Sequence, residues 1–336
     1  MSALLCHELQ FAPRETLWIA DENSKALLEE GFTFGGDLLS NRWDIAKLAE
    51  DKCGRSFFSD FHFEELERKY RRIVYAVSKE KAVVHHIINL APEFLGEGGE
   101  LVLVGGKQSG IKTYAAKAAQ RFGGAKQLQK HGTEYASINT HTGRGGETVD
   151  DQNYVQLRPL PELNGLYSKP GLFGWNKIDR GSALLAQQIS PYAPGDGAHV
   201  VDLGCGYGYL CTQLAARGSF SFTATDNNAA ALLACGKNFG ELALDGVVVP
   251  SNAGAELGAR IADLLICNPP FHQGFQVEGD LTDRFLQQSA RLLKPSGIAL
   301  FVVNEFIPLA KKGRSYFSEV QLIAHEQGFC VYKLTP

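Results

Sequence analysis

The apolar run at residues 262–267 and the Asn-Pro-Pro that follows it most constrain the fold of this chain. An apolar run of this length, bounded by a turn signal, is typical of a fully buried strand. Pro269 and Pro270 cannot continue a central strand, because each lacks the N–H group that the ladder needs. The sequence therefore predicts a strand that stops at Asn268 and opens into a stiff loop. Open α/β sheets bind their ligands at that edge.

The chemistry of this loop suits one planar amino group. Asn268 brings a side-chain carbonyl acceptor, and we expect the carbonyl of Pro269, held stiff by Pro270, to point into the same space. Phe271 offers an aromatic face on which a flat base or amide can stack. The structural alternative is a proline-rich turn that closes the strand, with Asn268 as its cap.

The length of 336 residues predicts two domains, because it exceeds what one average core holds. Buried-strand and amphipathic patterns alternate in the first half, which predicts a wound, mostly parallel sheet. The predicted strands there are 16–21, 73–77 and 101–104, with a possible short strand at 154–157, and the predicted helices are 24–30, 81–94 and 111–122. The segment 140–165 is rich in Gly, Thr, Asn, Asp and Pro, so we place the domains at 1–155 and 156–336.

The second half repeats this order, and we infer an internal duplication. Its predicted strands are 199–203, 221–225, 247–249, 262–267 and 298–303, closed by a pair near 320–323 and 329–334, with a helix at 281–293. Asp179 can cap a further helix that buries Leu184, Leu185 and Ile189 on one side. In the first copy, Val77-Ser78-Lys79-Glu80 stands where the second has Asn-Pro-Pro-Phe, so we expect the first copy to have lost its chemistry.

A glycine-rich turn follows the strand at 199–203. Gly204, Gly206 and Gly208 allow the backbone to approach a ligand, and the helix start beyond them offers free amides to a carboxylate or phosphate. Asp226 ends the next strand, where an acidic side chain can accept both ribose hydroxyls. Dinucleotide-binding enzymes use the same two features, so neither alone selects one cofactor.

Charge is distributed unevenly along the chain. The formal net charge is −4, yet residues 68–130 carry twelve Lys and Arg against four Glu. This asymmetry fits either a basic surface for nucleic acid or a set of solvated helix faces. The near P-loop at 105–113 has its lysine off the phosphate-binding spacing, and His85-His86 has no metal-ligand pattern around it, so we predict no metal.

The cysteines and the amino terminus indicate a compartment. The seven cysteines form no Cys-x-x-Cys pair, and their odd number argues against a complete disulfide framework. The first residues lack a cationic segment ahead of an apolar one, so we read no signal peptide. No stretch approaches the roughly 20 apolar residues of a membrane span. We expect a soluble, cytoplasmic protein with reduced thiols.

Taken together, these motifs resemble those of class I methyltransferases that act on amino nitrogens. The spacing Asp-x-Gly-x-Gly-x-Gly from Asp202 and the fourth-placed Asn-Pro-Pro-Phe strand carry that resemblance. Three further stretches, 170–173, 178–182 and 303–308, are similar to the small-subunit ribosomal RNA guanine-N2 methyltransferase family. The chain departs from that family at 174–177 and at Tyr207.

The family resemblance implies a fold, a cofactor and a partner. It implies α/β architecture with two tandem Rossmann-like class I methyltransferase domains, each a mostly parallel seven-stranded sheet flanked by helices, the amino-terminal one degenerate. The cofactor would be S-adenosyl-L-methionine and the partner 16S rRNA or the small ribosomal subunit, bound by a monomer. The target amine would be N2 of a guanine. A guanine in 23S rRNA and a protein glutamine amide are alternatives, as is a non-catalytic RNA-binding protein.

The resemblance also implies site residues. Asn268, Pro269, Pro270 and Phe271 would be catalytic. The cofactor would contact Asp202, Gly204, Cys205, Gly206, Gly208, Asp226, Asn227, Asn252 and Asn268. Phe173, Asp179, Arg180 and His272 would roof the active site or contact the substrate.

Overall fold

The computed structural model describes residues 2–270 and 275–336, and the side chains of all of these except residues 65 and 275–280. The chain divides into two compact units, Met1–Gln156 and Leu157–Pro336. Each unit has hydrophobic core clusters of its own, on both faces of its sheet.

The first unit is one seven-stranded sheet with helices. Its helices are α1 (Ala3–Leu9), α2 (Lys25–Glu29), α3 (Trp43–Ala49), α4 (Lys81–Phe94) and α5 (Ile111–Phe122). Its strands are β1 (Thr16–Ala20), β2 (Phe34–Ser40), β3 (Cys53–Phe58), β4 (Tyr70–Ala76), β5 (Leu95–Gly106), β6 (Gln129–His131) and β7 (Glu134–Thr140). The order is β3-β2-β1-β4-β5-β7-β6, and only the pairs involving β7 are antiparallel in the described sheet.

The second unit repeats that architecture. Its helices are α6 (Arg180–Gln188), α7 (Tyr209–Ala215), α8 (Ala229–Glu241), α9 (Phe275–Leu292) and α10 (Leu309–Gly313). A two-stranded ribbon of β8 (Arg158–Pro159) and β9 (Tyr167–Ser168) precedes the strands of its main sheet: β10 (His199–Leu203), β11 (Ser221–Asp226), β12 (Gly246–Pro250), β13 (Ala262–Cys267), β14 (Leu293–Asn304), β15 (Glu319–Glu326) and β16 (Phe329–Thr335). The order β12-β11-β10-β13-β14-β16-β15 corresponds strand for strand to that of the first sheet.

The register of the second sheet brings its strand ends to one edge. Leu203 pairs with Thr225 on one side and with Cys267 on the other. Asp226 in turn pairs with Pro250. Because these strands are parallel, the segments that follow them all leave the sheet at its carboxyl edge. The predicted pair of wound, mostly parallel sheets is confirmed.

Two sequence predictions about elements differ from the structure. The segment 34–58, which the sequence left without elements, forms β2, α3 and β3. The possible strand at 154–157 is wrong. Gln152 and Asn153 have φ of 60° and 54°, which turns the chain, and Tyr154 is buried against the ring of His86 at 4.6 Å.

Several residues that the sequence left open are now placed. His85 and His86 are both buried side chains of α4, and no group of three metal-ligating side chains occurs within 2–270 and 275–336. All seven cysteines lie in these ranges as free thiols. The helices of the described part include none with the length and apolar character needed to cross a bilayer.

The basic stretch 68–130 is only partly a surface. Arg72 is buried and forms ion pairs with Glu8 and Glu100, while Arg68 pairs with the buried Asp37. These two arginines stabilise the fold rather than forming a free cationic surface. By contrast, several lysines of this stretch are exposed: Lys69, Lys79, Lys81, Lys107, Lys112, Lys126 and Lys130.

Candidate functional site

The glycine-rich turn after β10 has the backbone that the sequence predicts. Gly204 and Gly206 have φ of 76° and 54°, a region that favours glycine. A Cβ built on Gly206 meets no described atom within 4 Å, so the space beside it is open. The amides of Gly204 and Cys205 both donate to the carbonyl of Thr225 at 2.9 Å, which ties the turn to β11. The result is a fixed concave backbone beside an open volume.

Asp202 lies beneath this turn and is fully buried. Its Oδ2 accepts a hydrogen bond from the Cys211 thiol at 3.2 Å, while its buried Oδ1 has no partner within the described residues. Burial raises the pKa of Asp202 to about 7, because an apolar surrounding disfavours the charged form. A buried carboxyl with one unused oxygen is a candidate partner for a cationic ligand group.

The cysteine thiols near the turn are poor nucleophiles. A hydrogen bond with Cys235, together with burial, raises the pKa of the Cys205 thiol well above its usual value. Burial does the same for Cys267 at the end of β13. Because the thiolate is the nucleophilic form, neither cysteine is suited to covalent catalysis.

Asp226 is held by two backbone amides. Its Oδ2 accepts from Gly206 at 3.0 Å and its Oδ1 from Asn228 at 2.9 Å. The half-buried Asn227 lies between Asp226 and Asn228. These bonds fix the carboxylate against the glycine-rich turn, and a carboxylate offers about four acceptor directions in all.

Asn252 follows the neighbouring strand, β12. Its backbone amide donates to Glu256 at 3.0 Å and its Oδ1 accepts from Arg284 at 3.2 Å. The amide of Ser251 donates to the carbonyl of Asp226 at 3.0 Å, so this segment is joined to the end of β11. The structure thus brings Asp226 and Asn252 to adjoining positions on one edge.

Asn268 leaves β13 at the same edge. Its backbone carbonyl lies 3.8 Å from the position that a Cβ on Gly204 would take. Its side-chain Nδ2 donates to Asp179 Oδ2 and to Ser182 Oγ, both at 2.8 Å. Pro269 is buried and Pro270 is exposed, whereas Phe271 and His272 lie outside the described residues.

The segment 171–179 is anchored at both ends. The carbonyl of Gly171 accepts from Asn228 Nδ2 at 3.0 Å, beside the end of β11, and Asp179 accepts from Asn268 after β13. Because β10 lies between β11 and β13, the segment spans the carboxyl end of β10. Phe173 is 67% exposed within this span, and Arg180 is an exposed residue at the start of α6.

Two residues of this network are not among the site residues that the sequence predicts, although one of them, Ser182, lies in the family-like stretch 178–182. Asn228 caps α8 through Ala230 and also holds Gly171. Ser182 binds the Asn268 side chain across 86 residues of sequence. The Asx cap of α8 could have been read from an Asn before an alanine-rich helix, but nothing in the local pattern around Ser182 signals its distant partner.

Comparison with known proteins adds one family model and several relatives. The model described as "Methyltransferase small domain" matches residues 164–333. A ribosomal RNA small subunit methyltransferase C of Pseudomonas aeruginosa is 30% identical over 240 residues, covering 70% of this chain and 70% of that protein. The protein of the same name from Shewanella oneidensis is 26% identical over 332 residues, covering 98% of this chain and 92% of that protein.

One solved structure matches across both units. It is a 16S rRNA N2 methyltransferase of T. thermophilus in complex with AdoMet and guanosine, with a TM-score of 0.80. It is 21% identical in sequence and the match covers 98% of this chain and 90% of that one. At this identity the match establishes a shared fold.

Proposed function

The chain belongs to the methyltransferase small domain family and, within it, to the ribosomal RNA small subunit methyltransferase C family; from this premise we propose that it methylates the exocyclic N2 amine of a guanine in 16S rRNA. The methyl donor is S-adenosyl-L-methionine, whose sulfonium supplies an electrophilic methyl group. The observation that carries the proposal is the position of Asn268, whose backbone carbonyl is in van der Waals range of a Cβ placed on Gly204. The residue that would accept hydrogen bonds from the substrate amine is therefore next to the turn that would bind the methyl donor.

The residues at the carboxyl edge fit the proposed cofactor. Gly206 leaves the volume that an added Cβ would enter, so the backbone can contact the ligand closely. Asp226 would accept hydrogen bonds from the ribose hydroxyls, and Asn252 would contact the adenine. The buried Oδ1 of Asp202, which has no partner among the described residues, would accept from a cationic group of the amino-acid part. Cys205, Gly208 and Asn227 would complete the contacts by their place in the same two turns.

Orientation of the guanine would supply much of the catalysis. Asn268 Oδ1 and the carbonyl of Pro269 would accept hydrogen bonds from the N2 amine, and Phe271 would stack on the base. The nitrogen lone pair would then face the methyl carbon; as the new bond formed, the electron pair of the carbon–sulfur bond would stay on sulfur, which would leave as a neutral thioether, and the amine would release one proton. Correct placement of reacting groups can lower the barrier by roughly 7–11 kcal/mol. No strong base is required, so His272 would at most accept the released proton later.

RNA recognition would involve both units. The target guanine must leave any helix that it occupies before it reaches the edge of the second sheet. Phe173 and Arg180 are both exposed, and Arg180 directly follows Asp179, which binds Asn268; these two residues would contact the substrate. The first unit would support RNA binding through its exposed lysines, because exposed cations supply most of the non-specific affinity for a phosphate backbone.

The test is Asn268→Ala in the full chain. We expect transfer of labelled methyl groups to 16S rRNA to fall at least about 100-fold, because the amine loses its main acceptor. The affinity for S-adenosylmethionine, measured by calorimetry, should stay within about threefold. Asn23→Ala, at an exposed asparagine of the first unit that does not have a positive φ, is the matched control. Unchanged transfer by Asn268→Ala would refute the role of Asn268.

The acceptor is tested separately. Wild-type protein should methylate 16S rRNA from a strain that lacks the gene, at N2 of one guanine mapped by mass spectrometry. Equal amounts of 23S rRNA and of a glutamine-containing protein acceptor are assayed beside it. Methylation of either of these in place of 16S rRNA would overturn the substrate proposed here.

A further inference from the structure

We infer that Asp179 and Ser182 are positioning residues for methyl transfer, which act by fixing the orientation of the Asn268 side-chain amide. This inference rests on the proposed function, because it concerns how Asn268 meets the substrate amine. Neither residue contacts the substrate in this scheme. Both lie in the first turn of α6 or directly before it, 86 and 89 residues ahead of Asn268.

The orientation of the Asn268 amide follows from the chemistry of its neighbours. An ionised carboxylate can only accept hydrogen bonds, so the atom 2.8 Å from Asp179 Oδ2 must be the NH2 group. The Ser182 hydroxyl, also at 2.8 Å, takes the second hydrogen of that group. Both amide hydrogens are therefore used on the α6 side, and Oδ1 is turned away from α6. Within the residues that the structure describes, no donor reaches Oδ1.

The two anchors are themselves held rigidly. Asp179 Oδ2 also accepts the backbone amide of Ser182 at 2.9 Å, as the N-cap of α6. A Cβ on Gly181 would lie 3.0 Å from a ring carbon of Phe329 and 3.1 Å from Asp179 Oδ2, so a larger residue here would push against both neighbours. Leu184 and Leu185 bury the other side of the helix in the core. The positions of both acceptors are thus set by the fold and not by the loop.

This arrangement excludes the wrong rotamer of the catalytic amide. A rotation of the Asn268 amide by half a turn would place its carbonyl oxygen against the Asp179 carboxylate and its NH2 against the substrate NH2. Both contacts would then join like groups, acceptor to acceptor and donor to donor. The anchored rotamer instead presents an acceptor to the substrate amine. A misplacement of about 1 Å at a reacting group can cost about 100-fold in rate.

Helix capping alone does not account for the geometry. Capping needs only the bond from the Ser182 amide to Asp179, and it does not explain why the Ser182 hydroxyl binds Asn268.

Two variants separate helix capping from the positioning of Asn268. Asp179→Ser keeps a good N-cap residue but is too short to reach Asn268 as well, and Ser182→Ala leaves the cap intact and removes one anchor. Ser318→Ala, at an exposed serine of the same unit, is the matched control.

The rate measurements should show an effect on turnover and not on cofactor binding. We expect Asp179→Ser and Ser182→Ala to lower kcat for methyl transfer by about 10- to 100-fold, with the affinity for S-adenosylmethionine unchanged within about threefold. In the Asn268→Ala background, the same substitutions should cause no further loss, because the group that they position is gone. Losses that multiply in the double variants would show an independent structural role and would overturn the inference.

A second readout does not need activity. The side-chain NH2 of Asn268, assigned in the nitrogen-15 spectrum by its absence in Asn268→Ala, should exchange slowly with solvent in the wild type and faster in Asp179→Ser and Ser182→Ala. Fast exchange in the wild type would refute the anchoring while leaving the proposed function intact. If the NH2 group exchanges slowly but the protein methylates a different acceptor, the anchoring stands and only the proposed substrate is refuted. The single and double variants would then be assayed on that acceptor.

Discussion

The carboxyl edges of the two sheets differ although their strands follow the same order. After β10, the second edge is built of glycine in left-handed conformation beside open space. After β1, the first edge has the buried Asp21, which accepts a hydrogen bond from the Tyr75 hydroxyl at 3.1 Å. Tyr154 is also buried there, and its hydroxyl donates to Asp60, two residues beyond β3, at 2.6 Å.

This difference teaches that the fold and the site are separable. The first unit pairs Asp21 and Asp60 at its edge with its own tyrosines, whereas Asp202 of the second unit keeps one carboxyl oxygen without a partner among the described residues. The backbone topology is the same in both cases, so the side chains at a few strand ends decide which edge can bind. A shared fold by itself therefore says little about function.

The largest expected effect concerns the carboxyl edge of the first sheet, where the ring of Tyr154 is buried. Tyr154→Ala should lower the free energy of unfolding of the first unit by about 3–5 kcal/mol, because it leaves a cavity at a fully buried ring. Hydrogen exchange of the β1 amides in the full chain measures this change. Tyr154→Phe keeps the ring and should cost only about 1 kcal/mol. Cofactor stoichiometry should stay at one per chain, and a rise to two in Tyr154→Ala would break the comparison.

The next effect concerns the carboxyl edge of the second sheet, where the space beside Gly206 is open. Gly206→Leu should weaken the binding of S-adenosylmethionine by about 100-fold, since the new side chain enters the space that the cofactor needs. Gly98→Leu in the first unit is the matched control, because Gly98 also has positive φ and no described atom within 4 Å of a built Cβ. Calorimetry on both variants gives the two affinities. Equal losses would mean that a general effect on the protein, and not the space beside Gly206, explains the result.

The smallest effect concerns pH. Burial raises the pKa of Asp202 to about 7, so below that pH the free protein holds a proton there. A cationic ligand pairs with the ionised form, and its binding must then expel this proton. We expect the affinity for S-adenosylmethionine to fall up to about tenfold per unit as pH drops below 7, and to be level above it. Titration calorimetry from pH 5.5 to 8.5 measures the profile.

Two aspartate variants sharpen this test. Asp202→Asn should remove the pH dependence, because no proton remains to be expelled. Burial also raises the pKa of Asp21 in the first unit to about 7, yet Asp21→Asn should leave the profile of cofactor affinity unchanged. A profile that persists in Asp202→Asn would assign the titration to another group.

The strands that bear the site were predictable from the sequence for a physical reason. β10 and β13 are largely apolar runs followed within two residues by glycine or proline, so both their existence and their ends are encoded locally. The segment 34–58 was not, because the glycines and charged residues of β2 and β3 mask the strand pattern. Tyr154 was misread as part of a strand because its burial comes from a contact with His86, which no local pattern records.

The site was predictable in composition but not in geometry. Asp202, Asp226 and Asn268 each lie within one residue of a strand end, and the fold brings strand ends together. The bonds from Asn268 to Asp179 and Ser182 join parts of the chain that only packing of α6 makes adjacent. The sequence shows the cap of α6, and it does not show that the cap has a second partner.

The attachment of Asn268 to α6 has a consequence for how inactive copies of this fold arise. A substitution at Asp179 or Ser182 would leave the tetrapeptide at 268–271 intact while freeing its first side chain to rotate. A gene copy could therefore lose its reaction and still display the signature by which active members are recognised. In such a lineage, substitutions in the upstream Asp-x-x-Ser would indicate the loss of activity before any change in the tetrapeptide.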